Sequence, residues 1–577
     1  MAPAIPYIVY AIMIALSVSS YMQAQKAKKA AQRAAGRSST QGDRGLLYQT
    51  RASALPRRIL YGRKRMGAIE CYIGSSGDSN EYLHFIFIWC DGPCVGIEKL
   101  FFDDEQVPFD SDGNGGGKYA GHLKLMNRNG TLDQTAIAEA VAEMPGWATS
   151  DKLTGVCASW LRVKKNDAIF PNGMPNVSAV IQGRNDVWNF RTETYGYSEN
   201  PAECLCHYLT LKRMGPGVDR DIDIGEIEVI AASNVCDEAV AISTGGTEKR
   251  YTFNGVIQLD QEPESIVETF RTAMAGTIVR SGGRWKIYAG AYITPTLELT
   301  EDMIVGEVTI NTKTSRSDAF NTVKGVFSSE LYKWQPTDFI AFVIEDAFIV
   351  PTGETPPDEL PDDIELLNTN SPTMCRRIAK IDAMRQYKKR TFSAPFNIEA
   401  LQVQPGVPVM LTFPKYGFNQ TPMDALGFQM SISEKGCVIQ LMLRETSPSD
   451  YSWDPSEDKA AEIVIGTTPI TQLPGQVSPV IASPGSEIDF NTTSEFTHDW
   501  HIALSCATIG ALIEYKVVDY LGEEGVSAWT TYTGTPILLT IEADSGKSIW
   551  VRATKSALIE SAHSRFDYFL YPMTEIP

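Results

Sequence analysis

The side chains able to do chemistry in this 577-residue chain are few and scattered. Six histidines (His84, His122, His207, His498, His501 and His563) would have to supply any triad or imidazole site. None lies in an H-E-x-x-H motif. His498-Asp499-Trp500-His501 lacks the four-residue spacing that sets two imidazoles on one helical face, and both are expected in exposed turns. The ten cysteines include two local groups, Cys90-x3-Cys94 and Cys204-Leu205-Cys206-His207, that look like half of a zinc site. Neither has a partner pair at zinc-site spacing, so buried free thiols are expected. Asp110, Asp112, Asn114 and Gly115 match the first half of a calcium loop, but its twelfth position, which needs a bidentate Glu, is Gly121. That favours a Gly-rich hairpin tip. Gly546-Lys547-Ser548 ends like a phosphate-binding loop, yet Ile541 stands where the first glycine is required. No G-x-S-x-G elbow occurs, and no glycosidase pair stands out among 70 acids. The expectation is a chain that is not an enzyme, with no catalytic residue, cofactor or metal.

The elements that would position any site read as mostly strands. The composition (43% hydrophobic, 21% charged) is that of a globular chain, and its length suggests about three to five domains. Forty-five Gly and 32 Pro point to many turns. Glu81–Cys90, Val95–Phe102, Val156–Val163, Val177–Gln182 and Val438–Arg444 are β-branched and aromatic runs. Thr131–Glu143 reads as a short helix, with Thr131 at its cap and Gln134 three residues on. Asn200-Pro201 and Glu262-Pro263 each open a helix with Pro at its first position, and Gly215-Pro216-Gly217 closes the first of them. Ile227–Glu238 lies between as another helix. In the last, Ile266, Val267, Phe270 and Met274 form one apolar face. Pro372–Tyr387 is a further helix. Residues 446–480 read as a linker. Beyond them Ile502, Leu504, Ile513, Tyr515, Trp529, Leu538, Ile549 and Val551 are core candidates of a small strand-built domain.

The N-terminus stands apart. Ile5–Met22 is apolar except for three serines and three tyrosines, and as a helix it would reach about 27 Å. No positive charge precedes it, which disfavours a secretion signal. Gln23–Arg37 continues in strong helix formers. The greasy-then-basic helix has three readings: a membrane anchor, a helix packed against copies of itself in an assembly, or one that enters a membrane when the assembly opens. The three serines favour the second. Residues 1–66 hold twelve Lys/Arg and one acid, so the remainder carries −30 of a net −19. So acidic a body repels nucleic acid, while the basic head is free to touch phosphate or anionic lipid.

Ten phrases carry a resemblance. They are Ile59-Leu-Tyr-Gly-Arg-Lys-Arg-Met-Gly67, Asn80-Glu-Tyr-Leu-His-Phe85, Phe101-Phe-Asp-Asp-Glu105, Gly130-Thr-Leu-Asp-Gln134, Phe170-Pro-Asn-Gly-Met-Pro-Asn176, Arg250-Tyr-Thr-Phe-Asn-Gly255, Ala273-Met-Ala-Gly276, Ser281-Gly-Gly-Arg-Trp285, Phe320-Asn-Thr-Val-Lys-Gly325 and Trp334-Gln-Pro-Thr-Asp338. In this order, over about residues 50–460, they resemble the tail-tip or central tail hub proteins of long-tailed bacteriophages, the lambda-type tip attachment family. Ser483-Pro-Gly485, Ile502–Ala507, Ile513-Glu-Tyr515, Tyr532-Thr-Gly534 and Trp550–Lys555 resemble the immunoglobulin-like sandwich at the C-terminus of chitobiases.

The resemblance implies a fold class that is mainly β with an α+β insertion: multidomain tail-tube-like β-domains, a C-terminal β-sandwich and an N-terminal helix. The corresponding domains are an apolar/basic helix (1–40), a hub β-domain with a short inserted helix (41–197), an α+β domain (198–290), a second hub β-domain with one helix (291–450), a linker (451–479) and the sandwich (480–577). It implies a homotrimer that closes the tail channel, meets the distal tail protein and the tape-measure protein, carries tail fibres, and lets DNA pass without specific binding. It also implies residence at the virion tail tip, after assembly in the host cytoplasm. Because the chain carries one sandwich, receptor contact is expected to be delegated. Ile8, Ile12, Ile14, Leu16 and Met22 would form a lumen plug or enter the host membrane. The competing reading, from the N-terminal run and the sandwich alone, is a membrane-tethered bacterial adhesin or carbohydrate-binding protein.

Overall fold

The computed structural model describes residues 47–52, 54–243, 245–312, 320–345, 359–387, 389–433 and 436–458, and in the C-terminal part 481–484, 497–506, 512–519, 528–542, 545–554 and 564–570. The N-terminal helix expectation, and Ile8, Ile12, Ile14, Leu16 and Met22 with it, lies outside these residues. The chain divides into two compact units, Met1–Ile463 and Val464–Pro577. Strands dominate both, so the mainly-β class holds.

The first unit begins with nine strands: β1 (Arg58–Tyr61), β2 (Arg63–Gly67), β3 (Ile69–Ser76), β4 (Tyr82–Asp91), β5 (Cys94–Phe102), β6 (Glu105–Val107), β7 (Leu123–Asn129), β8 (Val156–Lys164) and β9 (Val177–Arg184). With β10 (Gly255–Gln258) they form two sheets. One runs β10-β1-β4-β8-β7 with β3 on β4; the other runs β2-β9-β5-β6. Phe85, Phe87, Trp89, Leu100, Phe102, Leu161, Ala179 and Ile181 fill the space between them. The run Glu81–Cys90 is apolar on consecutive positions because β4 is covered on both faces: Phe87 points into the sandwich, while Ile86 packs under α1 (Ala138–Glu143) with Trp160 and Met144.

That helix is shorter than expected. Thr131 does not cap it; the residue before it is the extended Ile137, which makes no side-chain cap bond. Gln134 is instead buried and spans a loop. Its Oε1 accepts from the Gly130 amide at 2.9 Å, and its Nε2 donates to the carbonyls of Lys152 at 3.0 Å and Leu153. A side chain that satisfies several buried backbone groups at once outweighs a cap it could have shared with water.

Four helices build a second core: α2 (Pro201–Thr210), α4 (Glu226–Asp237), α5 (Pro263–Ala273) and α6 (Pro372–Gln386), with the short α3 (Arg220–Asp223) beside them. Asn200 caps α2 by accepting from the Ala202 amide, and Ser371 caps α6 by accepting from Met374. α2 ends at Thr210, ahead of Gly215-Pro216-Gly217. Helix α6 was expected inside the second β-domain; its Met374, Ile378 and Ile381 pack with Phe270 of α5 and Leu205 of α2 in one core. The strand Thr322–Ser328 joins that core through Val323 and Phe327. A third core lies under a six-stranded sheet that includes Thr391–Phe396, Pro408–Phe413, Phe418–Ser433 and Gly436–Glu445.

The expected linker begins too early. Tyr451, Asp450 and Asp458 are buried. Lys389 holds Asp450 at 2.7 Å, Lys380 holds Glu457 at 2.7 Å, and Asp458 accepts from Ser243 at 2.9 Å and Thr373 at 3.1 Å. Polar composition suggested a free segment, but these acids find cationic and hydroxyl partners on the body.

In the second unit, a three-stranded sheet (Ile481–Pro484, Thr497–Ser505, Ile537–Glu542) and a four-stranded one (Thr530–Thr531, Leu512–Asp519, Ser545–Thr554, Ser564–Leu570) share a core. Ile502, Leu504, Ile549 and Val551 are buried as expected, but Leu538 is 56% exposed and its neighbours Ile537 and Leu539 face inward. A register slip of one residue in the reading exchanges the two faces of a strand. His498 and His501 lie within the strand Thr497–Ser505 rather than in turns. Gly546-Lys547-Ser548 likewise sits within a strand, which is not the loop-to-helix geometry that cradles phosphate.

Candidate functional site

The described residues converge on one junction, built by β1, Gly62 and β2. In an extended strand neighbouring side chains point to opposite faces. Leu60 therefore enters the sandwich core, while Ile59 and Tyr61 enter the helical core. Gly62, at φ +65°, then turns the chain from one sheet into the other. A Cβ there would lie 2.3 Å from the Phe253 carbonyl oxygen and 2.4 Å from Asn254 Oδ1, so the turn and the close approach both require glycine.

The basic residues after Gly62 are consumed at this junction. Arg63 forms a fork on Glu98 (Nε–Oε2 2.5 Å, Nη2–Oε1 2.9 Å) and reaches Glu330 at 2.7 Å; Lys99 reaches the other Glu330 oxygen at 2.6 Å. Hydrogen bonds from Arg63 and then Lys99 pull the Glu330 carboxyl down to about 2. Lys64 is buried and donates to the Leu367 carbonyl at 3.0 Å. Arg65 donates to Ser178 and Asp104, both at 3.0 Å, and stacks 4.4 Å from the Phe101 ring centroid. Burial opposes ionisation of Asp104, but Arg65 and Lys333 hold its carboxyl below the ordinary range. Between these pairs sits Trp334, buried against Leu47 and Val180, with Arg63 5.6 Å from its ring centroid.

Arg51, Arg57 and Arg58 are engaged too, with Glu70, Asp91 and the Gly67 carbonyl. The free basic head of the sequence reading therefore does not extend through residues 51–65. What composition presents as a cationic patch is a set of intramolecular clamps, buried at Arg58, Lys64 and Arg65 and exposed at Arg51 and Arg57. The phrases Ile59–Gly67, Phe101–Glu105, Arg250–Gly255 and Trp334–Asp338, far apart along the chain, meet here.

Behind the junction lies a buried polar chain. Tyr61 Oη is 2.8 Å from His207 Nδ1, His207 Nε2 is 3.4 Å from Asp186, and Arg184 pairs with Asp186 at 2.5 Å. Burial pushes the Tyr61 phenol well above its ordinary value, so it is a poor nucleophile, and the arrangement ties α2 to β1. It also occupies the histidine of Cys204-Leu205-Cys206-His207, whose Cys204 thiol bonds the Ser198 carbonyl. His84 stacks on Trp160 at 5.7 Å and bonds Ser76 at 2.7 Å; burial lowers its pKa. Asp110 spends its carboxylate on its own hairpin tip, accepting from the amides of Asp112 at 3.0 Å and Asn114 at 2.7 Å.

Sequence reasoning missed one constellation. Cys90 and Cys94 are joined by Cys157, whose strand β8 pairs with β4 in a register that sets Cys157 opposite Cys90. The three sulfurs lie within 4.8 Å of one another. The signal was available only through pairing: two apolar runs, each with a cysteine near one end, become neighbours once their antiparallel register is known. Hydrogen bonds from Cys157 and Cys90 hold the Cys94 thiol well below its ordinary pKa, with Arg184 acting in the same direction.

No family model matches the chain, and no curated protein does. Among solved structures, it is similar to a chain of the virion of a native gene transfer agent particle, with 12% identity, TM-score 0.47, and coverage of 70% of this chain and 88% of that one. A tail protein from Neisseria meningitidis follows at 11% identity and TM-score 0.27, covering 68% of this chain and 96% of that one. A prophage tail protein from Shewanella oneidensis stands at 9% identity and TM-score 0.26, covering 69% and 98%. Likenesses at these scores carry no argument of their own.

Proposed function

We propose that this chain is a structural protein of a bacteriophage-type tail, the central hub of the tail tip. In this reading it is a homotrimer that closes the channel beneath the distal tail protein. It meets the tape-measure protein inside, carries fibres, and opens for genome ejection at the host. The observation that carries the reading is the ordered set of phrases over residues 50–460. The junction gives it physical content. Invariant geometry under load is what a hub needs, and Gly62, the Arg63–Glu98–Glu330 cluster and Trp334 lock two cores and two sheets together. The net charge of −19 suits a wall that a polyanion passes without sticking. Ile8, Ile12, Ile14, Leu16 and Met22 would plug the lumen as a three-helix bundle or follow DNA into the host membrane. Among the described residues no helix is long and apolar enough to cross a membrane.

The test is a C-terminal tag on the chain in particles, imaged by negative stain with a gold label, together with mass photometry of the purified protein. Label at one tail end and a trimer mass are expected. Label absent from particles and recovered with cell membranes would overturn the hub in favour of the tethered adhesin.

A further inference from the structure

Cys90 ends the run of β4, Cys94 opens β5 on the far side of the Gly92-Pro93 turn, and Cys157 lies at the start of β8. Two of these strands belong to one sheet of the sandwich and the third to the other. All three side chains are buried, at 2%, 1% and 0% exposure, and all three are free thiols. Cys90 Sγ and Cys94 Sγ are 3.5 Å apart, and the whole triangle fits within 4.8 Å. A metal ion about 2.3 Å from each of three thiolates sets the sulfurs about 3.8 Å apart in a tetrahedral arrangement, inside the range that the triangle spans. Sulfurs this close surround one ion rather than a polynuclear cluster.

Two features adjoin the cluster. Asp91, adjoining Cys90, gives Oδ1 to Arg57 but keeps Oδ2 buried with no hydrogen-bond partner. A cleft of about 470 Å³, lined in part by Arg58, Cys71, Asp91 and Val156, reaches Cys90 but neither Cys94 nor Cys157. The cations needed to offset a thiolate-rich site are present: Arg184 is the cross-strand partner of Cys94, and Arg58 lies near Cys90.

We propose that Cys90, Cys94 and Cys157 bind a single soft, thiophilic metal ion of the Zn2+ class that clips the two sheets of the first sandwich together at their corner. Thiolates are the ligands that such ions select. Binding exchanges the three thiol protons, released to solvent, for three metal–sulfur bonds, and the fourth position falls to water. No electron transfer is involved. The role is structural: the ion closes a corner where β4 leaves one sheet and β5 enters the other, as structural zinc contributes folding energy elsewhere.

The experiment uses the full chain, expressed in zinc-supplemented medium, purified with reductant and dialysed against metal-free buffer. Elemental analysis should give one zinc per chain, unchanged in Cys437→Ser, whose thiol lies in another sheet, and reduced about tenfold in Cys157→Ser. Should Cys157→Ser not fold, the wild-type protein still decides. Stripped with chelator and titrated with Co2+, it should show thiolate-to-cobalt charge transfer in the near ultraviolet and intense visible bands saturating at one equivalent. Substoichiometric zinc with no such bands, zinc retained in Cys157→Ser, or a Cys90–Cys94 disulfide found by mass spectrometry would each overturn the proposal.

Discussion

Replacing Gly62 with Ala tests the junction with a control built into the same chain. Gly282, in the turn between Thr277–Ser281 and Arg284–Tyr288, has φ +61°, close to the +65° of Gly62, but a Cβ there meets nothing within 4 Å. Both substitutions carry the left-handed cost of a side chain, about 1–2 kcal/mol. At Gly62 the Cβ falls 2.3 Å from a backbone carbonyl and 2.4 Å from Asn254 Oδ1, about 1 Å inside an ordinary carbon–oxygen contact. Neither atom yields easily, because Asn254 Oδ1 accepts from the Arg63 amide at 2.8 Å and β10 follows directly. Relieving such overpacking costs a further ~1–3 kcal/mol. Gly62→Ala should therefore lose about 2–5 kcal/mol and Gly282→Ala about 1–2, measured by urea unfolding of the first unit's transition in the full chain. Hydrogen exchange should show the loss on β1, β2 and β10 together. Equal losses in the two variants, or exchange confined to one strand, would refute the junction as the element joining the cores.

Three other outcomes follow from the same geometry. Glu330 has its pKa depressed from 4.5 to about 2 by Arg63 and Lys99, so its stabilising contribution is complete above pH 4.5 and is lost as pH falls toward 2. The urea-midpoint gap between wild type and Glu330→Gln should be flat from pH 8 to 6 and narrow below about 5, modest in size because the carboxylate is half exposed; a gap that widens on acidification contradicts the pairing. Leu539→Ala should cost the second unit about 2–5 kcal/mol, while Leu538→Ala stays within about 0.5, and a thermal melt showing the reverse would reverse the register. Asp at Ile12, Ile14 and Leu16 together should abolish infectivity or tail assembly in a plaque assay while far-ultraviolet circular dichroism of the body is unchanged; normal plaques would remove the plug and insertion roles.

What was legible in the sequence was local. α2, α5 and α6 each open with a proline at the first helical position, α5 adds an apolar face, and β4 shows its aromatic run. Partnership at a distance was not legible. Arg63 and Glu330 are 267 residues apart, and a run of arginines reads as a solvated patch until their acceptors are known. Gln134 obeys a capping spacing yet satisfies carbonyls near residue 153 that no local rule connects to it. Asp458 reads as linker because its partners, Ser243 and Thr373, sit on separate elements. Cys157 acquires meaning only from strand register. In each case the deciding energy is the satisfaction of a buried polar group by a remote one, which propensity and periodicity do not encode.

The anchoring of Glu457 and Asp458 has a mechanical consequence. Among the described residues, tension on the chain beyond Asp458 reaches these two acids first. Their partners lie on α6 and on the segment bearing Ser243, and α6 is sunk in the helical core. A tug from that side therefore meets several polar bonds, with a hydrophobic core behind them, before it reaches the strand Gly436–Glu445.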